Sequence, residues 1–217
     1  MGMHQFIQGL NDLEMLKRAP GFFKYQEHSV AAHSFRVTEI AQLLADIEED
    51  AGHKVNWQMV YEKALNHDYT ERFIGDIKTP VKYATSDLRQ RLAQVEAHMT
   101  DNFIQNEIPE HLQARYRRRL SEGKDDTLEG KILSVADKID LLYESFGEIQ
   151  KGNPEHVYTE IFRESLSTII QFDELASTRY FIKEMLPELL NEDFSDRVLL
   201  TQITREILAA NKNKQTK

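Results

Sequence analysis

Cysteine is absent from this sequence. With it go disulfides, thiolate metal sites and cysteine nucleophiles, and the chain fits a reducing compartment such as the cytoplasm. No apolar run nears the ~20 residues that span a bilayer, so no membrane partner is expected. Residues 1–16 lack the basic flank and apolar centre of a secretory signal. Positive charge is also scarce. Lys and Arg total 27 against 36 Asp and Glu, a formal net charge of −9. That is a poor background for gripping a polyanion by counterion release, so no nucleic-acid polymer is expected as partner. The one basic run, residues 115–119, reads as a solvated helix face or helix end.

Strand signals are nearly absent, and what fills the chain instead is helical spacing. Val30, Val37, Ile40, Ala41, Leu44 and Ile47 form one stripe. Leu128, Ile132, Val135, Ile139, Leu142, Phe146 and Ile149 form a stronger one, with Asp126-Thr127 to cap its start and Gly152-Asn153-Pro154 to close its end. Further helices are expected over 4–17, 56–68, 86–106, 110–121, 155–172, 174–191 and 195–211, with Pro187 a candidate kink. The spacing predicts an all-α fold. No repeat or linker divides it, so residues 1–210 read as one domain and 211–217 as a frayed polar tail. Residues 74–80, rich in Gly, Asp and Pro, break the pattern with a short irregular loop of the kind that carries function.

Four side chains point to metal chemistry. His67 and Asp68 are adjacent, and imidazole with carboxylate suits a divalent ion. His33 falls on the inward stripe of its helix, and Asp137 borders the strongest stripe. Each also has a structural reading. An inward histidine is more often a satisfied core residue than a ligand. A buried Asp137 needs a partner, which could be an arginine as well as a metal. Spacing alone leaves these readings level.

The order of motifs is more specific. His33, His67-Asp68 and Asp137 follow the H…HD…D pattern of the HD superfamily. The run His-Asp-Tyr-Thr-Glu-Arg-Phe-Ile-Gly-Asp-Ile-Lys-Thr-Pro-Val-Lys-Tyr over 67–83 closely resembles the bacterial YfbR-like HD 5′-deoxynucleotidases. Lys-Arg-Ala-Pro over 17–20 and Ser-Val-Ala-Ala-His-Ser over 29–34 align in the same order, so the resemblance spans about residues 6–150. It implies a phosphohydrolase that removes the 5′-phosphate from a small nucleotide, with one divalent metal per chain on His33, His67, Asp68 and Asp137. Two imidazoles and two carboxylates suit Mn²⁺, Co²⁺, Fe²⁺ or Zn²⁺ better than Mg²⁺, which prefers oxygen ligands. It further implies catalytic roles for Glu71 and Asp76, phosphate capture by Arg18, and a homodimer. Lys82 either reaches a phosphate or is a surface lysine.

Two positions depart from the family pattern. Ala32 stands where a glutamate usually precedes the first metal histidine, a change that should spare the site. Ala19 stands where a tryptophan usually crowds the sugar, so the preference for deoxyribose is expected to be relaxed. Among rivals, a guanosine-tetraphosphate hydrolase would carry Glu-Asp where this chain has Glu71-Arg72, and the Gly-Tyr-Pro motif of cyclic-dinucleotide phosphodiesterases is missing. A triphosphate hydrolase and a non-catalytic nucleotide-binding module remain as alternatives.

Overall fold

Four of the main helices begin where a side chain caps them. In the computed structural model, which describes residues 3–77, 79–82, 84–121 and 123–215, Ser29 accepts from Ala32 N–H at the start of α2 (Val30–Asp50). Asn56 does the same for α3 (Trp57–Asn66), Thr85 for α6 (Ser86–Glu107) and Thr127 for α8 (Leu128–Gln150). Each cap satisfies a backbone donor that the first turn leaves open. The remaining helices are α1 (His4–Met15), α4 (Glu71–Ile74), α5 (Thr79–Lys82), α7 (Glu110–Ser121), α9 (Val157–Ile169), α10 (Ala176–Tyr180), α11 (Leu186–Asn191) and α12 (Leu200–Gln215). The described residues contain no strand, so the expected all-α class is what forms.

The two apolar stripes meet. Val37, Ala41 and Leu44 of α2 bury against Ile132, Val135, Ile139 and Leu142 of α8, and α9 covers the other side with Phe162, Leu166 and Ile169. Fully burying each such side chain is worth about 1.5–3 kcal/mol. A second cluster holds α1 and α6 against the turn after α3, through Leu13, Tyr69, Phe103 and Ile104. Here Arg72 packs over the rings of Tyr69, Phe73 and Phe103 and pairs with Asp12. Gly9 makes room for it. A Cβ at Gly9 would lie 1.7 Å from Arg72 Nη1, so any larger residue there would force the guanidinium to shift from this place.

Several expected boundaries shift for physical reasons. The helix expected over 4–17 stops at Met15 because Lys17 pairs with Ser29 in an isolated antiparallel bridge. The helix expected over 56–68 stops at Asn66, and His67 and Asp68 sit in the turn that follows. Single helical turns, α4 and α5, take up both ends of the loop expected over 74–80. Pro187 kinks rather than ends its helix: a π-turn over Phe181–Met185 precedes it, and α11 resumes with Pro187 in its first turn. The last helix begins at Leu200 and runs on to Gln215, into the segment read as a polar tail. Three of the four arginines of the basic run on α7 form ion pairs: Arg117 with Asp101, and Arg118 and Arg119 with Glu62.

Candidate metal centre and active site

Three elements bring the four candidate ligands together. His33 comes from the first turn of α2, His67 and Asp68 from the turn ending α3, and Asp137 from the middle of α8. His33 Nε2 lies 3.2 Å from His67 Nε2, 3.4 Å from Asp68 Oδ2 and 3.2 Å from Asp137 Oδ1. His67 Nε2 lies 3.2 Å from Asp68 Oδ2. Donors held about 2.0–2.2 Å from one ion sit roughly 3–3.5 Å from one another, so His33, His67 and Asp68, whose donor atoms all lie within 4.8 Å of one another, fit a divalent metal, while Asp137 adjoins them through His33. The histidines are oriented for it. His33 Nδ1 is 2.6 Å from Asp140 Oδ2, and His67 Nδ1 is 2.8 Å from the Ala64 carbonyl, so each ring donates through Nδ1 and turns Nε2 to the cluster.

The electrostatics point the same way. Burial alone would push His33 down, but hydrogen bonds with Asp137, Asp140 and Asp68 outweigh it and lift the imidazole to about 10. Burial likewise opposes charge on Asp68, yet His67 and His33 hold it well below the usual carboxylate range. Asp137 is held down similarly by Lys124 and His33. The pocket therefore collects positive charge, and a divalent cation supplies it more fully than a proton.

Around this cluster stand Arg18, Glu71 and Asp76. Arg18 Nη1 pairs with Asp68 Oδ2 at 3.1 Å, while its Nε is buried without a partner. Glu71 opens α4, and its Oε2 is also buried without a partner. Burial, with Asp68 and Asp76 nearby, pushes Glu71 up to about 9. Unpaired buried polar atoms are costly, and two of them beside a donor cluster mark space for a polar ligand. Asp76 Oδ2 accepts the Ala19 N–H at 2.6 Å, tying the 75–77 loop to the segment that carries Arg18. Lys82 lies on α5, and among the described residues no hydrogen bond or ion pair joins it to the cluster. Lys78 and Tyr83 of the same motif lie outside the described residues.

Sequence reasoning missed four residues. Asp140, three positions after Asp137 on the same helix face, is itself gripped by Arg36 through Nε at 2.6 Å and Nη2 at 2.9 Å. That spacing was a usable signal. Glu148 accepts from the backbone N–H groups of Tyr25 and Gln26, both at 2.9 Å, and so fastens the 17–29 segment to α8. Lys124, on the loop before α8, places Nζ 2.5 Å from Asp137 Oδ2. No periodicity could have revealed Glu148 or Lys124, because each meets its partner only through the fold. A cavity of about 550 Å³ is lined by Arg36, Asp140, Glu144, Phe35 and Tyr143, and by none of the four candidate ligands.

The Asp140 contact yields a first prediction. Asp140→Asn keeps the shape but no longer fixes the proton on His33 Nδ1. Metal affinity should fall by roughly 10–100-fold, measured by titrating Mn²⁺ or Zn²⁺ into metal-free protein. Unchanged affinity would show that α2 packing alone orients His33.

Comparison with known proteins shows what this chain resembles. The family model described as 5′-deoxynucleotidase YfbR-like matches residues 5–189. The 5′-deoxynucleotidase PM0747 of Pasteurella multocida is 27% identical over 189 residues, covering 86% of this chain and 94% of that protein. The crystal structure of an HD-domain phosphohydrolase from Listeria innocua superposes with a TM-score of 0.92 at 60% identity, covering 97% of this chain and all of that one. A cyanophage S-2L HD phosphohydrolase, solved bound to dA and one catalytic Zn²⁺ ion, shares the fold with a TM-score of 0.58 at 16% identity, covering 84% of this chain and 95% of that one.

Proposed function

The chain belongs to the YfbR-like family of HD-domain phosphohydrolases and hydrolyses phosphate esters, and from that premise we propose that it removes the 5′-phosphate from nucleoside monophosphates. The observation that carries the proposal is the mutually close donor group of His33, His67 and Asp68, with Asp137 3.2 Å from His33, flanked by Arg18 and Glu71 with buried unpaired atoms. A relative named as a 5′-deoxynucleotidase supports the monophosphate substrate. The dA and single Zn²⁺ held by the cyanophage protein support a nucleoside ligand and one ion. We place the enzyme in the cytoplasm as a homodimer on the family likeness.

His33, His67, Asp68 and Asp137 would hold one divalent ion, which supplies Lewis-acid charge at the phosphoryl group and acidifies a water. Arg18 binds the substrate phosphate; its planar fork fits phosphate oxygens and stays charged at every relevant pH. The charge of a bound ion would favour the ionised form of Glu71, and as the carboxylate Glu71 takes a proton from the attacking water as the new P–O bond forms. The bond to the 5′-oxygen breaks, that oxygen leaves with a proton as nucleoside, and inorganic phosphate remains. Asp76 acts on geometry: by holding the Ala19 N–H it keeps Arg18 over the cluster.

The test is phosphate release from ribo- and deoxynucleoside mono-, di- and triphosphates across Mn²⁺, Co²⁺, Fe²⁺, Zn²⁺ and Mg²⁺. Monophosphates should be preferred. Turnover of triphosphates alone would move the chain to the triphosphate hydrolases, and no turnover with any metal would make it a binding module.

The same screen reads the sugar. Ala19 sits at φ +43, the left-handed region, in the turn beside Arg18, and carries only a methyl group. A pocket that merely tolerates a hydroxyl discriminates weakly, by ~10²-fold at most. The ratio of kcat/KM for dAMP over AMP should therefore be small, and Ala19→Trp should raise it by excluding the 2′-hydroxyl. A wild-type preference above about a thousandfold would mean that another residue reads the sugar.

A further inference from the structure

Charge around the donor cluster is unbalanced unless every cation is counted. Asp68, Asp137 and Asp76 stand there together, and Arg18 is the cation that the motif supplies. A phosphate monoester adds up to two more negative charges. Lys124 is a second cation at the same place. Its Nζ lies 2.5 Å from Asp137 Oδ2, the oxygen that does not contact His33, and its charge interacts with both Asp68 and Arg18.

Arg18 and Lys124 thus flank the two carboxylates, Arg18 on Asp68 and Lys124 on Asp137. They arrive from unrelated segments, one from the turn after α1 and the other from the loop before α8. Their accessibility differs. The Arg18 side chain is 10% exposed and the Lys124 side chain 45% exposed. An ammonium carries three N–H donors, and Asp137 occupies one. Lys124 therefore has donors to spare beside the cluster. Lys82, the other lysine considered for this task, has no link to the cluster among the described residues.

We propose that Lys124 is a phosphate-binding residue, forming with Arg18 a two-cation clamp on the substrate phosphate across the metal ligands. The proposal rests on the phosphohydrolase reading and deepens it. A simpler role, as counter-ion that supports Asp137, makes a different prediction, since it would act on the metal rather than on phosphate.

The experiment compares wild type, Lys124→Met and Lys124→Arg. Mn²⁺ is titrated calorimetrically into each metal-free chain, inorganic phosphate is titrated into each Mn²⁺-loaded chain, and KM and kcat are measured with dAMP. Lys124→Met should bind phosphate ~10–100-fold more weakly, the range for one lost charge-assisted hydrogen bond. KM should rise by a similar factor, while Mn²⁺ affinity holds or tightens because Asp137 loses a competing cation. Lys124→Arg should stay within about threefold of wild type on phosphate. Phosphate affinity of Lys124→Met within about twofold of wild type would overturn the clamp, as would a loss that merely follows a parallel loss of Mn²⁺. A wild-type chain that takes Mn²⁺ but neither binds phosphate nor turns over any nucleotide would overturn the phosphohydrolase reading together with the clamp.

Discussion

His67→Ala should lower divalent-metal affinity by the order of 10²–10³-fold and abolish turnover at ordinary metal concentrations. The magnitude follows from dividing the ~10–16 kcal/mol of a four-ligand structural zinc site among its ligands. His67 is the informative ligand to remove. Asp68 also pairs with Arg18, so its loss would leave a buried guanidinium unpaired and confuse metal loss with a charge defect. His67 contacts the other ligands through Nε2 and its own helix end through the Ala64 carbonyl. Its replacement removes a donor and little else. Metal titration, with circular dichroism to confirm the helical fold, decides the matter. Full occupancy at wild-type affinity in His67→Ala would remove this residue from the ligand set and with it the assigned centre.

Glu71→Gln should cut turnover by roughly 10²–10⁴-fold, the usual contribution of a general base, with metal affinity retained. The same substitution should stabilise the metal-free protein, and the sign follows from the shifted carboxyl. Glu71 has an ordinary value of 4.5, pushed up to about 9 in the folded chain by burial and by Asp68 and Asp76. Between those values the unfolded chain has released the proton and the folded chain still holds it. Folding must then take up a proton, so the metal-free protein loses stability as pH rises through that window. Glutamine matches the neutral form and titrates nowhere. Metal-free Glu71→Gln should therefore melt above wild type at pH 7–8, with the gap closing towards pH 4.5. A catalytic group held at a cost to stability is expected at an active site. Should Glu71→Gln lose its metal instead, Glu71 supports the ligands and the proton must go elsewhere. If turnover survives, Glu71 is not the base.

Helical spacing was legible from the start because burial imposes it. Val37, Ala41 and Leu44 had to face Ile132, Ile139 and Leu142, and the caps Ser29 and Thr127 had to precede those stripes. His33, His67, Asp68 and Asp137 were legible as candidates for two reasons. Three sit on or beside inward faces, and the motif order is rare. What spacing could not decide was whether they meet. Three helices can each point a ligand inward and still miss one another, and only the packing of α2, α3 and α8 brings His67, Asp68 and Asp137 each within 3.2–3.4 Å of His33. The contacts that complete the site were invisible for the same reason. Lys124 reaching Asp137, Asp76 holding Ala19, and Glu148 fastening the segment after Arg18 link loops to helices far away in sequence, where no period applies. The sequence by itself determined the helices and the chemical types at the centre, because local burial and motif order encode both. Tertiary structure alone decided the convergence of the donors, the unpaired atoms of Arg18 and Glu71, and the second cation, because each depends on distances between segments that only folding sets.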